Sequence, residues 1–314
     1  MGENARTGPE AGALGEVVDG VYAWVQPDGT WWVNNAGAVA GDDGLLVVDT
    51  CATATRTRRF LGALASATAG APVRWAVNTH QHGDHTYGNS LLPDSTVLIG
   101  QNGMREALDT DPLFENPPPV WEPVPNWGDV TRRLPSVTFD HALTLHLGGG
   151  RRVDLHHPGY TAHTVGDVVA WLPRERVLFT GDLIFHGLTP LLLMGSLDGA
   201  LRSLEWVRSF APDHVVPGHG PVMPGSELDA VLAVHERYYR FVLAAADEAL
   251  RKGHTPLEAA RDIDLGEFGA WADAERIVMN LHRAQADRAG VPMDLARALA
   301  DAVEWNGGPM PTTL

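Results

Sequence analysis

Cysteine is almost missing from this chain: Cys51 is the only one in 314 residues. An internal disulfide is therefore excluded, and nothing points to an oxidising compartment. Long apolar runs are missing too; none approaches the roughly 18 residues of a membrane span. The stretch 1–15 holds Gly, Glu, Asn, Arg and Pro without an apolar core. It reads as a frayed tail, not a secretory signal, so a cytoplasmic protein with no membrane partner is expected. Positive charge is scarce: 23 Lys and Arg face 39 Asp and Glu, a net charge of −16. Such a field repels phosphate backbones, so no nucleic-acid partner is expected. There is no internal repeat and no low-complexity tract. What remains, 44% hydrophobic and 20% charged, is the composition of an ordinary globular protein with room for one or two domains.

One stretch organises the rest. Thr79-His80-Gln81-His82-Gly83-Asp84-His85 packs three imidazoles and a carboxylate into six positions. Val73 to Asn78 before it is apolar and β-branched, and reads as a buried strand. A strand end holds side chains stiffly, and the loop after it lets several converge. His and Asp suit zinc, iron(II) or manganese. Two such ions need roughly seven protein ligands, and this run holds four candidates. Three more follow short apolar runs beside glycine: His163 in Ala162-His163-Thr164, Asp182 in Thr180-Gly181-Asp182, and His219 in Gly218-His219-Gly220.

These residues, with Asp49 at the end of the run Leu45 to Val48, form five motifs in one order. From about Val17 to Pro221 the chain resembles the metallo-β-lactamase fold superfamily. The resemblance implies that His80, His82 and His163 hold one divalent metal, and Asp84, His85 and His219 a second. Asp182 would bridge them, and Asp49 would orient a ligand from outside. Zinc is the first expectation, with iron or manganese as alternatives. Cys51 matches no ligand position, which argues against a lactamase of the cysteine-ligand type. The implied fold class is α/β: a four-layer αββα sandwich of two mixed β-sheets with outer helices, plus a helical C-terminal extension. The expected domains are the tail 1–15, a catalytic domain 16–224 and the extension 225–314.

In chain order, strands are expected at Val17–Trp24 and Trp31–Val39, separated by a turn at Pro27-Asp28-Gly29. A helix follows over Thr53–Ala67, with Arg56, Arg58 and Arg59 on a solvated face. Leu108–Pro135 is rich in proline, interleaved with Leu113, Phe114, Trp121 and Trp127. It reads as a lid that covers the metal site and forms an apolar substrate wall. Val137–Leu147 and Arg152–His156 read as paired strands. Asp198 is the expected cap of the next helix. Ser226-Glu227-Leu228-Asp229 suggests a capping box opening a helix to about Leu250, and Thr255-Pro256-Leu257-Glu258 suggests a second box. Helices over Trp271–Ala289 and Pro292–Trp305 complete the chain. Tyr160, His186 and Arg237 are secondary candidates near the site; His235, His254 and His282 read as ordinary helix residues.

Metal binding lowers the pKa of water from about 15.7 towards 7. The expected chemistry is therefore hydrolysis: hydroxide attacks the carbonyl of an ester, thioester or lactone with a hydrophobic acyl or aryl group. Asp84 is the expected catalytic carboxylate, steadying the hydroxide through a hydrogen bond. The partner is a small hydrophobic molecule, and self-association into a homo-oligomer is left open. Alternatives on the same fold are a phosphodiesterase or nuclease, a β-lactam hydrolase and a di-iron oxygenase-type protein. Tyr87-Gly88-Asn89 replaces the usual Gly-Gly-Asn, and no basic cluster stands near the C-terminus. Both features point away from a glutathione thioester.

Overall fold

The computed structural model describes residues 12–26 and 29–314. The expected tail up to residue 11, and Pro27 and Asp28 of the expected turn, lie outside the described residues. The strands in chain order are β1 (Ala13–Val18), β2 (Val21–Val25), β3 (Ala36–Gly41), β4 (Gly44–Val48), β5 (Val73–Val77), β6 (Val97–Gln101), β7 (Trp121–Glu122), β8 (Val137–Phe139), β9 (Ala142–His146), β10 (Arg152–His156), β11 (Val169–Leu172), β12 (Val177–Phe185), β13 (His214–His219), β14 (Met223–Pro224) and β15 (Met310–Pro311). The helices are α1 (Ala54–Ala67), α2 (Gly83–Thr86), α3 (Asn102–Asp109), α4 (Leu197–Ser209), α5 (Gly225–Lys252), α6 (Pro256–Asp262), α7 (Arg276–Ala289) and α8 (Leu295–Asn306).

Two mixed sheets result. The first runs β1-β2-β3-β4-β5-β6-β8, and the second β14-β13-β12-β11-β10-β9. Alternation along each strand decides the layers. In β4, Leu46 and Val48 face the second sheet, meeting Val177 and Phe179 of β12 in one apolar cluster. Leu45 and Val47 point the other way, onto Phe60 and Leu64 of α1. Leu178 of β12 and Val215 of β13 face outward, onto Leu204 of α4 and Leu228 and Val242 of α5. The order is helix, sheet, sheet, helix: the expected αββα sandwich, with the helical region α5–α8 added to its outer side.

Several local expectations are corrected. β3 begins at Ala36, because Trp32 sits at φ 68° in a turn that no strand can carry. The chain is already a strand at Ala13. Val137–Leu147 is split: β8 pairs with β6 in the first sheet and β9 with β10 in the second, so the break at Asp140-His141 crosses the sandwich. Ser196 caps α4, its side chain accepting from Gly199 N–H, rather than Asp198. No side chain caps α5; its preceding residue is Pro224, and the box at Ser226 does not form. Thr255 and Glu258 do form their box, with Pro256 in the first turn. The next helices start late, at Arg276 and Leu295. Arg56 is buried at 1% exposure, hydrogen-bonded to Gln26 and to the Asn34 carbonyl, whereas Arg58 is exposed beside Asp129.

Candidate metal centre

Four strand ends on one edge of the sandwich build the site. Parallel neighbours β4 and β5 end at Val48 and Val77. Asp49 follows the first, Thr79 and His80 the second. Parallel neighbours β12 and β13 carry Asp182 and His219. The pairing of β12 slips around Gly181, whose φ is +52°. This bulge turns Asp182 out of the ladder towards the other donors. Gly218 makes room for it: a Cβ there would lie 1.9 Å from Asp182 Oδ1. His163 comes from the loop between β10 and β11. Asp167 shapes that loop by accepting from Thr164 N–H at 2.9 Å and Thr164 Oγ1 at 2.6 Å.

All seven side chains singled out in the sequence meet. His80, His82, His163 and Asp182 form one group whose donor atoms lie within 4.8 Å of one another, and Asp84, His85 and His219 form a second. Asp182 spans both. Its Oδ2 lies 3.4 Å from His163 Nε2 and 3.3 Å from His219 Nε2, and its Oδ1 lies 3.1 Å from His85 Nε2. Asp84 Oδ2 is 3.2 Å from His219 Nε2.

The outer nitrogens are tied down. His163 Nδ1 donates to Leu191 O at 2.8 Å, and His219 Nδ1 to Gly29 O at 2.9 Å. His85 Nδ1 donates to Asp49 Oδ2 at 2.8 Å. Asp49 also accepts from Thr79 N–H and Thr79 Oγ1, both at 2.7 Å, and Thr79 Oγ1 meets His80 Nδ1 at 3.0 Å. Each of these rings therefore keeps Nε2 for the centre. His82 differs: its Nδ1 lies 2.9 Å from His163 Nε2.

The donor set fits a pair of divalent cations. His80 Nε2, His85 Nε2 and Asp182 Oδ1 are buried without a hydrogen-bond partner, and unpaired buried polar atoms are costly. Burial pushes His80 and His82 down from the ordinary imidazole value, and His163 down to about 3, so these are neutral, ligand-ready rings. The other half behaves oppositely. Burial would lower His85 and His219, but nearby carboxylates, Asp182 first, outweigh it; His85 rises well above the usual range and His219 to about 9. Burial opposes the charge on Asp84, yet His85 and His219 hold its carboxyl at about 2. A field that retains protons on imidazoles is also one that attracts cations.

Above the donors opens a cavity of about 270 Å³. Trp31, Trp32, Tyr87, Trp121 and Phe185 give it aromatic walls, and Leu191, Leu193 and Met194 an aliphatic one. Part of the proline-rich segment does reach it: Asp111, Pro112, Leu113 and Trp121 line the cavity, while Phe114 and Trp127 back it through Tyr87. Phe185 stacks on His219 at 5.2 Å, and its N–H donates to His235 Nε2 at 3.1 Å. His235 thus supports a ligand ring, beyond the ordinary helix role expected for it.

The secondary candidates sit elsewhere. Tyr160 lies under the Arg202 guanidinium at 3.8 Å, His186 donates to Pro221 O, and exposed Arg237 pairs with Glu267. The sequence reading missed Trp31, Trp32 and Arg276 as cavity residues. The apolar loop Leu191-Leu192-Leu193-Met194 was a usable signal; Arg276, on a helix nearly two hundred positions from the metal run, offered none.

A His and Asp cage at one edge of the sandwich, beneath an apolar cavity, defines a metallohydrolase-type site. The sequence profile of the metallo-beta-lactamase superfamily matches residues 29–219, and the chain belongs to that superfamily. It is 26% identical over 255 residues to the 2,4-dinitroanisole O-demethylase subunit alpha of Nocardioides sp. strain JS1661, across 79% of this chain and 66% of that one. It is 24% identical over 275 residues to a linear primary-alkylsulfatase of Pseudomonas sp., across 72% of this chain and 49% of that one. The structure of the sec-alkylsulfatase Pisa1 from Pseudomonas sp. superposes with a TM-score of 0.70 at 17% identity, over 95% of this chain and 55% of that one. The chain thus spans about half to two thirds of the length of these relatives.

Proposed function

We propose that the protein is a dinuclear metal hydrolase cleaving the ester, thioester or lactone bond of a small molecule with a hydrophobic acyl or aryl group. The observation that carries this reading is the gathering of seven metal-type donors, four of which (His82, Asp84, Asp182 and His219) line an aromatic and aliphatic cavity. His80, His82 and His163 would hold one ion and Asp84, His85 and His219 the other, with Asp182 available to both; zinc suits this mixed imidazole and carboxylate set. Two such ions, when bound, would supply Lewis acidity and a water ionised near neutral pH.

The chain's own residues do the rest. Asp84, on the cavity floor, orients the attacking water by accepting a hydrogen bond on its carboxylate. The indoles of Trp31, Trp32 and Trp121 bind the apolar part of the substrate and exclude bulk water, which strengthens every charge interaction beneath them. The relatives' names favour a second reading on the same floor and walls: cleavage of an aryl methyl ether or an alkyl sulfate.

The test joins metal analysis to a panel of 4-nitrophenyl esters, acyl thioesters, lactones, a β-lactam, a phosphodiester, an aryl methyl ether and an alkyl sulfate. The expected result is two metal ions per chain and turnover of aryl esters, lost on chelation and restored by zinc. A metal-free protein, or one that cleaves only the phosphodiester, overturns the reading. Turnover of only the ether or the sulfate establishes the second reading instead.

A further inference from the structure

The wall of the cavity is assembled from pieces far apart in the chain. Trp31 and Trp32 follow β2. Trp121 belongs to β7, in the proline-rich segment. Its indole meets that of Trp31 at 5.5 Å and that of Trp32 at 5.0 Å. Within the proline-rich segment the backbone beside Trp121 is held by one short bond, Val120 N–H to Pro118 O at 2.8 Å. Pro117, Pro118, Pro119, Pro123 and Pro125 have no N–H, so the segment cannot build a ladder of its own. The missing donors come from β15 and the residue after it, Thr312. Met310 N–H donates to Val120 O at 2.8 Å and Thr312 N–H to Glu122 O at 3.1 Å, with Met310 opposite Trp121 in a parallel pair. The same short stretch reaches the backbone of the other tryptophan: Thr312 Oγ1 donates to the Trp31 carbonyl oxygen at 2.8 Å. Met310 is fully buried and Thr312 is 7% exposed. The Trp31 indole is held separately, its Nε1–H donating to Glu275 Oε1 at 2.6 Å.

We propose that β15 and Thr312 form a specificity-positioning element: by joining Trp31 to Trp121 they set the width of the cavity, and so the size of the aryl group it admits. The element touches neither the donors nor the reacting bond. It rests on the reading of this cavity as the substrate site, and adds that the selecting width is fixed by a strand nearly 190 positions beyond the Trp121 it pairs with.

The test uses the metal-loaded full chain, Thr312→Val and a variant lacking residues 310–314. Phenol and 1-naphthol are titrated by tryptophan fluorescence, and their acetates are assayed for turnover. Metal content is measured throughout. The native chain is expected to prefer phenol. Both variants should shift the phenol to naphthol affinity ratio about five-fold or more towards naphthol, the change expected from about one lost hydrogen bond, with metal content unchanged. A ratio that stays constant, or affinities that fall together as metal is lost, overturns the proposal and leaves β15 a mere support. So does a native chain that binds neither alcohol. If the deletion fails to fold, Thr312→Val decides. A shifted ratio without hydrolysis of either acetate sinks the ester reading and keeps this one; hydrolysis with an unmoved ratio does the reverse.

Discussion

Asp49 is where a single atom change should reach the metals. Its carboxylate is 3% exposed. Oδ1 accepts from Thr79 N–H, and Oδ2 accepts from Thr79 Oγ1 at 2.7 Å and His85 Nδ1 at 2.8 Å. Its φ of +60° is a backbone conformation that Asp tolerates better than most residues. Asp49→Asn keeps the shape and the Oδ1 bond. It places an amide N–H₂ where Oδ2 stood, facing two donors. The conflict is relieved when His85 moves its proton to Nε2, the atom 3.1 Å from Asp182 Oδ1. That nitrogen then has no lone pair to offer. Losing such an outer partner typically weakens metal binding 10- to 100-fold, about 1.4–2.7 kcal/mol. His163 is tied to Leu191 O, and its group reaches Asp49 only indirectly, through Thr79 Oγ1 to His80 Nδ1, so that group's metal should weaken less. The assay is competition with a coloured chelator, read as two successive metal releases. The first release should occur at chelator levels at which the native chain keeps both ions. Two affinities within two-fold of native would refute the whole chain of reasoning from Asp49 through His85 to the metal.

Two further outcomes are expected. Gly218→Ala puts a methyl 1.9 Å from Asp182 Oδ1 and 2.7 Å from the Gly181 backbone, so the carboxylate must move; turnover should fall about 100-fold, as for an ångström-scale misplacement, while circular dichroism stays native. Native turnover in that variant would show that Asp182 is free to shift. His235 is the second: burial lowers it to about 4 from 6.5, so the unfolded chain binds the extra proton first. Its contribution is fully present above pH 6.5 and is lost as pH falls towards 4, about 2.5 kcal/mol by pH 4.5. Urea unfolding at pH 7 and pH 4.5 should therefore differ less in His235→Gln, whose amide oxygen can still accept from Phe185 N–H, by about that amount; identical pH slopes would count against a neutral buried ring.

The metal run was legible because its geometry is local. His80, His82, Asp84 and His85 lie within six positions of a strand end, and a helix of four residues, α2, is enough to turn Asp84 and His85 inward. Asp182 and His219 announced themselves through glycine, which the crowding around Asp182 Oδ1 requires. Other features were not legible. Arg56 looked like a solvated helix residue, since its helix carries two more arginines; only the fold of Gln26 and Asn34 over it makes it a buried donor. Val137–Leu147 alternates like one strand, and no local signal says that the chain leaves one sheet for the other at Asp140. Ser226 had the right neighbours for a cap, but Pro224 sets the entry to α5 and leaves the serine unused.

The amino-acid sequence by itself marked out the candidate donors and their order, because ligand spacing acts over a few residues; the four layers were legible only through the resemblance those motifs carry. Only the tertiary structure decided the cavity. Trp31, Trp121, Arg276 and Thr312 are separated by tens to hundreds of positions, and each becomes part of one frame only through bonds such as Thr312 Oγ1 to Trp31 O. A wall made of distant segments has no period and no spacing to read, since its shape depends on which chain crossings bury which faces.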